Sequence, residues 1–106
     1  MLADAPDWDF DQPRTLPSGP INNGYTDWSG QARIEQGVDA VSCRVTASEN
    51  LGTAIVYSPG ESADFFCFEP VSHPVDAFHQ PSHPGLKELA PGQSLTAKMT
   101  LSWRLA

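Results

Sequence analysis

The chain has 106 residues, room for one domain spanning 1–106, and it carries 6 Lys+Arg against 13 Asp+Glu, a formal net charge of -7. That balance excludes nucleic acid and an anionic membrane as electrostatic partners, since both call for clustered basic side chains. No stretch approaches the ~20 apolar residues that span a bilayer, and the opening MLADAPDWDF has no apolar h-region, so a cytoplasmic protein is expected.

Ten prolines and eight glycines punctuate the sequence, and no segment sustains a helical period. Residues 1–21, with Pro6, Pro13, Pro17 and Pro20, read as an extended lead-in without a core of its own. A short, weak strand follows over Gln31–Glu35. Ala40–Ala47 alternates well, with Val41, Cys43 and Val45 on one face. Thr53–Tyr57 is next, and the turn Ser58-Pro59-Gly60-Glu61 joins it to a strand over Asp64–Glu69.

An irregular stretch then runs from Pro70 to Pro91. Its length is unusual inside a compact domain, and its aromatic and histidine content favours a packed, functional loop. The turn Ala90-Pro91-Gly92-Gln93 starts the clearest strand of all, in which Leu95, Ala97, Met99, Leu101, Trp103 and Leu105 share one face. Strands joined by turns, without a helix, predict an all-β, antiparallel β-sandwich.

Two cysteines, Cys43 and Cys67, are too few for a disulfide scaffold or a zinc site, so two reduced thiols on buried strand faces are expected. His73, Asp76, His79 and His83 lie close in sequence but fit neither a helical pair nor a knuckle, so no metal and no cofactor is expected. Glu61 falls in a turn, and Asp64 falls on the strand face opposite Glu69, which argues against a glycosidase carboxylate pair. Trp103 fits the apolar face of its strand and reads as core, whereas Trp28, beside a glycine turn, is balanced between packing and ligand.

Glu69 is the residue best sited for chemistry. It ends a strand whose alternate positions Phe65 and Cys67 share its face, and a carboxylate in an apolar line is suited to act as a general base near neutral pH. A strand-end glutamate reaching solvent, or paired with Arg44 or Arg104, accounts slightly better for the spacing alone.

The runs Phe65–Glu69 (FFCFE), Pro70–Phe78 (PVSHPVDAF) and Ala90–Ser94 (APGQS), with WSGQA at Trp28–Ala32 and VYSP at Val56–Pro59, together resemble the C-terminal third of aldose 1-epimerases. Five linked elements in order make the resemblance specific. It implies part of the galactose mutarotase-like supersandwich, an isomerase that interconverts α and β anomers of hexoses by acid–base ring opening. It implies Glu69 as the catalytic base, with Asn22, Trp28, His73 and Asp76 at the sugar. The family's general acid, a histidine, lies upstream of the region matched here, and an aspartate common in the family is replaced by Asn22. The resemblance therefore leaves two alternatives open, a non-catalytic carbohydrate-binding module and a truncated structural remnant. In either, open strand edges invite self-association.

Overall fold

The computed structural model describes residues 8–105. Among the described residues six strands form: β1 (Ile21–Tyr25), β2 (Gln31–Ile34), β3 (Val41–Ala47), β4 (Thr53–Ser58), β5 (Cys67–Val71) and β6 (Met99–Leu105), with a 3-10 turn at Ala77–His79. They make two antiparallel sheets, ordered β1-β4-β5 and β2-β3-β6. The expected all-β antiparallel architecture is thus found, and the chain passes from one sheet to the other after β1, after β3 and after β5.

Antiparallel partners point to the same face, which sorts every strand residue. In the first sheet Ile21, Asn23, Tyr25, Ala54, Val56, Ser58 and Phe68 share a face, and this is the buried one. Ile21, Tyr25 and Val56 form its centre, with Trp8, Phe10, Leu16 and Phe68 packed against them. Each such side chain contributes roughly 1.5–3 kcal/mol on burial. The lead-in is therefore part of this core from Trp8 onward: the Tyr25 hydroxyl donates to the Trp8 carbonyl, and the Phe10 and Tyr25 rings meet edge to face at 5.8 Å. Residues 1–7 of the expected lead-in, Pro6 among them, lie outside the described residues.

In the second sheet Ala32, Ile34, Cys43, Val45, Leu101 and Trp103 share the apolar face, and Arg33, Arg44, Ser102 and Arg104 alternate onto the other. Cys43 and Val45 are buried on the central strand, but Leu101 and Trp103 beside them on β6 are exposed. The alternation read from sequence is present, yet Trp103 is not core: among the described residues nothing covers the β6 side of that face.

Beyond shifts of one or two residues at strand ends, the structure departs from the sequence reading in three places. β1 was not anticipated, because Asn22, Asn23 and Gly24 are poor strand formers, and tertiary packing of Ile21 and Tyr25 outweighs their propensity. Residues 59–66 form no strand, with a turn and bend over 61–64, so the strand expected from Asp64 starts at Cys67. The last strand begins at Met99 rather than Leu95; the residues before it are held instead by the turn after β3, where Ser48 N–H donates to Lys98 O at 2.9 Å and Asn50 Nδ2 to Thr96 O at 2.9 Å.

Candidate functional site

The open face of the first sheet is built by the opposite alternation. Asn22 is the partner of Tyr57 and Tyr57 of Cys67; Gly24 is the partner of Ile55 and Ile55 of Glu69. Asn22, Ile55, Tyr57, Cys67 and Glu69 therefore stand on one face, with Asn22 and Glu69 both exposed. Two inter-strand spacings separate β1 from β5, roughly 10 Å, enough to admit a monosaccharide ring above Ile55 and Tyr57. Gly24, in line with Ile55 and Glu69, leaves that part of the face without a side chain.

Glu69 sits on an edge strand, and Pro70 beside it is compatible with that edge because proline cannot donate to a further ladder. No hydrogen bond or ion pair holds the Glu69 carboxylate among the described residues. Arg44 and Arg104, the partners that spacing allowed, belong to the other sheet. The apolar line expected beside Glu69 is present in Cys67 and Ile55, but Phe65 precedes the strand and packs by a tilted contact, 6.5 Å between centroids, on Tyr57.

The loop after β5 carries the remaining candidates. His73 is exposed two residues beyond the strand, its Nδ1 2.9 Å from Ser72 Oγ. Asp76 adopts a left-handed conformation (φ 61) at the start of the 3-10 turn, and its Oδ1 lies 2.5 Å from His79 Nδ1. Phe78 stacks on His83, with centroids 5.1 Å apart and planes 4° from parallel. The loop is thus tightly wound: Ala77 is buried, Gln80 Nε2 donates to Val75 O at 2.9 Å, and Gly85 returns against Ser72. Among the described residues no three His, Cys, Asp or Glu side chains converge as a metal site.

Trp28 is set apart from these. Its ring meets Phe68 edge to face at 5.5 Å, and Phe68 points to the face opposite Glu69. Its Nε1 donates to Gln31 O at 2.9 Å, closing the turn around Gly30, where φ is +87 and an added Cβ would lie 3.0 Å from Ala47 O. Both thiols are free, Cys43 buried and Cys67 half-buried.

Sequence reasoning did not single out Ile55 or Tyr57 as part of this face. The signal was available in the alternation of Thr53–Tyr57, but it became usable only once the register with β5 was fixed. A cleft of about 690 Å³ between the lead-in (Arg14, Leu16) and the β4–β5 connection (Glu61, Asp64, Phe65) was not foreseen either, and Glu69 does not line it. That cleft is formed by loops rather than by the strand face. The convergence of a carboxylate, an amide and a phenol on β1, β4 and β5 is the better candidate for chemistry.

These features define an all-β chain of two antiparallel sheets with one exposed strand carboxylate among the described residues. The chain belongs to the aldose 1-epimerase family, whose signature it matches over residues 2–102. It is 42% identical over 99 residues to the uncharacterised protein YphB of Escherichia coli K12, covering 88% of this chain and 34% of that protein. It is also similar to a crystal structure from Escherichia coli K12 described as a proposed aldose 1-epimerase, with a TM-score of 0.84 and 34% identity over 100% of this chain and 38% of the other. The chain thus spans little more than a third of the length of these relatives. No helix among the described residues is long and apolar enough to cross a membrane.

Proposed function

We propose that this chain supplies the sugar-facing strand and the general base, Glu69, of a site that interconverts the anomers of a hexose or hexose derivative. The observation that carries this reading is the register that sets the unpaired Glu69 carboxylate on one open face with Asn22 and Tyr57. In the reaction Glu69 takes the proton from the C1 hydroxyl while an acid delivers a proton to the ring oxygen. The C1–ring oxygen bond breaks as the C1 carbonyl forms. Rotation about the C1–C2 bond and the reverse steps close the ring on the other face, returning both protons. Asn22 is suited to hydrogen-bond a sugar hydroxyl as donor or acceptor, and Tyr57 to flank the ring. His73 and Asp76 border the strand end, where they would meet substituents away from C1.

The acid is the part this chain is not proposed to supply. Retention of the sugar face without exchange is the second reading, favoured by the replacement of the family's aspartate with Asn22. Both are tested by anomer exchange of glucose and galactose, followed by NMR with the purified chain against a buffer blank. Exchange above the blank, lost in Glu69→Gln, supports the catalytic reading; an unchanged rate in that variant would remove Glu69 from the mechanism. Exchange at the blank rate with saturable sugar binding supports the binding module.

A further inference from the structure

The cleft between the lead-in and the β4–β5 connection adjoins the open face that carries Glu69. Phe65 belongs to both: it lines the cleft, and its ring packs on Tyr57 with centroids 6.5 Å apart. Both rings remain accessible, Phe65 at 54% and Tyr57 at 36% exposure. Along β4, the row of Asn22, Tyr57 and Cys67 stands two residues nearer the cleft than the row of Gly24, Ile55 and Glu69, a step of roughly 7 Å. The order along the sheet is therefore carboxylate, aromatic pair, cleft.

The cleft has a fixed floor. Glu61 N–H donates to Ser18 O at 2.9 Å, Ala63 N–H to Gly60 O at 3.0 Å, and Gly60 N–H to the buried Ser58 Oγ at 3.2 Å. Gly60 has φ +127, and an added Cβ would lie 3.3 Å from Ser18 O, so the lead-in approaches the connection at a position suited to a residue without a side chain. The cleft's volume is about 690 Å³, within the roughly 300–1,000 Å³ of pockets that take small organic ligands.

Its lining sets Phe65 beside Arg14, Thr15, Glu61 and Asp64. An aromatic face next to planar charged groups suits a sugar ring: the C–H face lies on the arene, and the hydroxyls donate to carboxylates and accept from the guanidinium. Among the described residues that line the cleft, two carboxylates stand against one guanidinium, which disfavours a phosphate or carboxylate there.

We propose that this cleft is a second sugar subsite, which takes a neutral glycosyl unit attached to the hexose on the open face. The inference rests on the reading of that face as the hexose site with C1 at Glu69. The atom across a pyranose ring from C1 is C4. A ring with C1 beside Glu69 and its far end at Tyr57 therefore directs a 4-linked substituent over Phe65 and into the cleft. Phe65 is a specificity-determining residue in this arrangement and touches no reacting atom. The preferred ligand is a reducing, 4-linked disaccharide.

The test is titration of the isotope-labelled full chain with glucose, maltose and glucose 6-phosphate, followed by amide NMR shifts and dissociation constants. Glucose should move the amides of Asn22, Tyr57 and Glu69, and maltose should move those together with Ser18, Glu61, Asp64 and Phe65. Maltose should bind at least ~10-fold tighter than glucose, and Phe65→Ala should bring the ratio of the two affinities to about one. Should Phe65→Ala alter the circular dichroism, Phe65→Leu, which removes the flat face and keeps the bulk, takes its place. Glucose on the open face, with maltose no tighter and the cleft amides unmoved, would overturn the subsite while leaving the hexose reading of that face intact. Maltose that moves the cleft amides alone would also overturn it, since the two sites would not be continuous. Tighter binding of glucose 6-phosphate than of maltose would replace the neutral unit with an anionic one and so refute the proposal. No shift with any of the three sugars would remove the subsite and the hexose reading together.

Discussion

Ile55 and Glu69 are direct partners across β4 and β5, so the one carboxylate on the open face of the first sheet stands beside an aliphatic side chain and not beside a cation. The pairing matters because it offers a position from which a cation can be set beside the carboxylate. Placing a lysine at position 55 would supply a cross-strand opposite charge worth roughly 0.2–1 kcal/mol. In any assembly that exchanges anomers, Ile55→Lys should slow exchange by up to ~5-fold, against ~100-fold or more for Glu69→Gln. Ile55→Val, which keeps the face apolar, should leave the rate unchanged. Equal rates for Ile55→Lys and wild type would mean that the proton is not taken at Glu69.

The long loop between β5 and β6 depends on one glycine. Gly85 has φ +75, and a Cβ there would lie 2.2 Å from Ser72 O and 2.9 Å from His73 Cα. Backbone atoms cannot yield as a flexible side chain would, so Gly85→Ala combines strain with a clash and should cost about 1–3 kcal/mol. The cost should appear locally. Amide exchange at His79, Gln80 and His83 should quicken by ~10-fold or more, while β1 and β4 keep their protection. Unchanged exchange in the loop would show that it is held by the Phe78–His83 stack and its turn bonds without the Gly85 approach.

The parts legible in the sequence were those with a local signal. Val41, Cys43 and Val45 announced β3 by alternation, and Ala90-Pro91-Gly92-Gln93 announced a turn that the structure closes with Gln93 N–H on Ala90 O at 3.0 Å. Glu69 stood out because a carboxylate in an apolar run is uncommon. β1 was not legible, since its two core residues, Ile21 and Tyr25, are separated by Asn22, Asn23 and Gly24. Nor was the exposure of Trp103: a period-two pattern says which residues share a face, but whether that face is covered depends on what packs on it. The juxtaposition of Asn22 with Glu69 required the strand order β1-β4-β5, which no local signal encodes.

Val45 and Val38 test the fold from its two extremes. Val45 is 2% exposed on the central strand β3, whereas Val38 is 92% exposed in the β2–β3 turn. Val45→Ala should destabilise the chain by roughly 1.5–3 kcal/mol, the loss of a buried branched side chain. Val38→Ala should stay within about 0.5 kcal/mol of wild type. Urea denaturation of the two variants checks both values, and equal midpoints would show that the Cys43–Val45 face is not a core.

Asn23 provides a prediction of the opposite sign. It lies on the buried face of β1 between Ile21 and Tyr25, directly opposite Val56, and its Nδ2 is buried without a hydrogen-bond partner. A buried amide donor left unpaired costs about 1–3 kcal/mol, because water is removed and nothing replaces it. Valine is close in size, suits a strand and has no donor to strand. Asn23→Val should therefore stabilise the chain, by about 1 kcal/mol after allowance for imperfect packing. A rise in thermal midpoint of roughly 4–8 °C is the expected reading for a domain of this size. A fall would mean that the side-chain oxygen of Asn23, or a water bridging its Nδ2, contributes more to β1 than the unpaired donor takes away. The same substitution separates core from site: Asn22, one residue earlier, points to the open face, so Asn22→Val should leave the midpoint nearly unchanged and act on sugar binding instead.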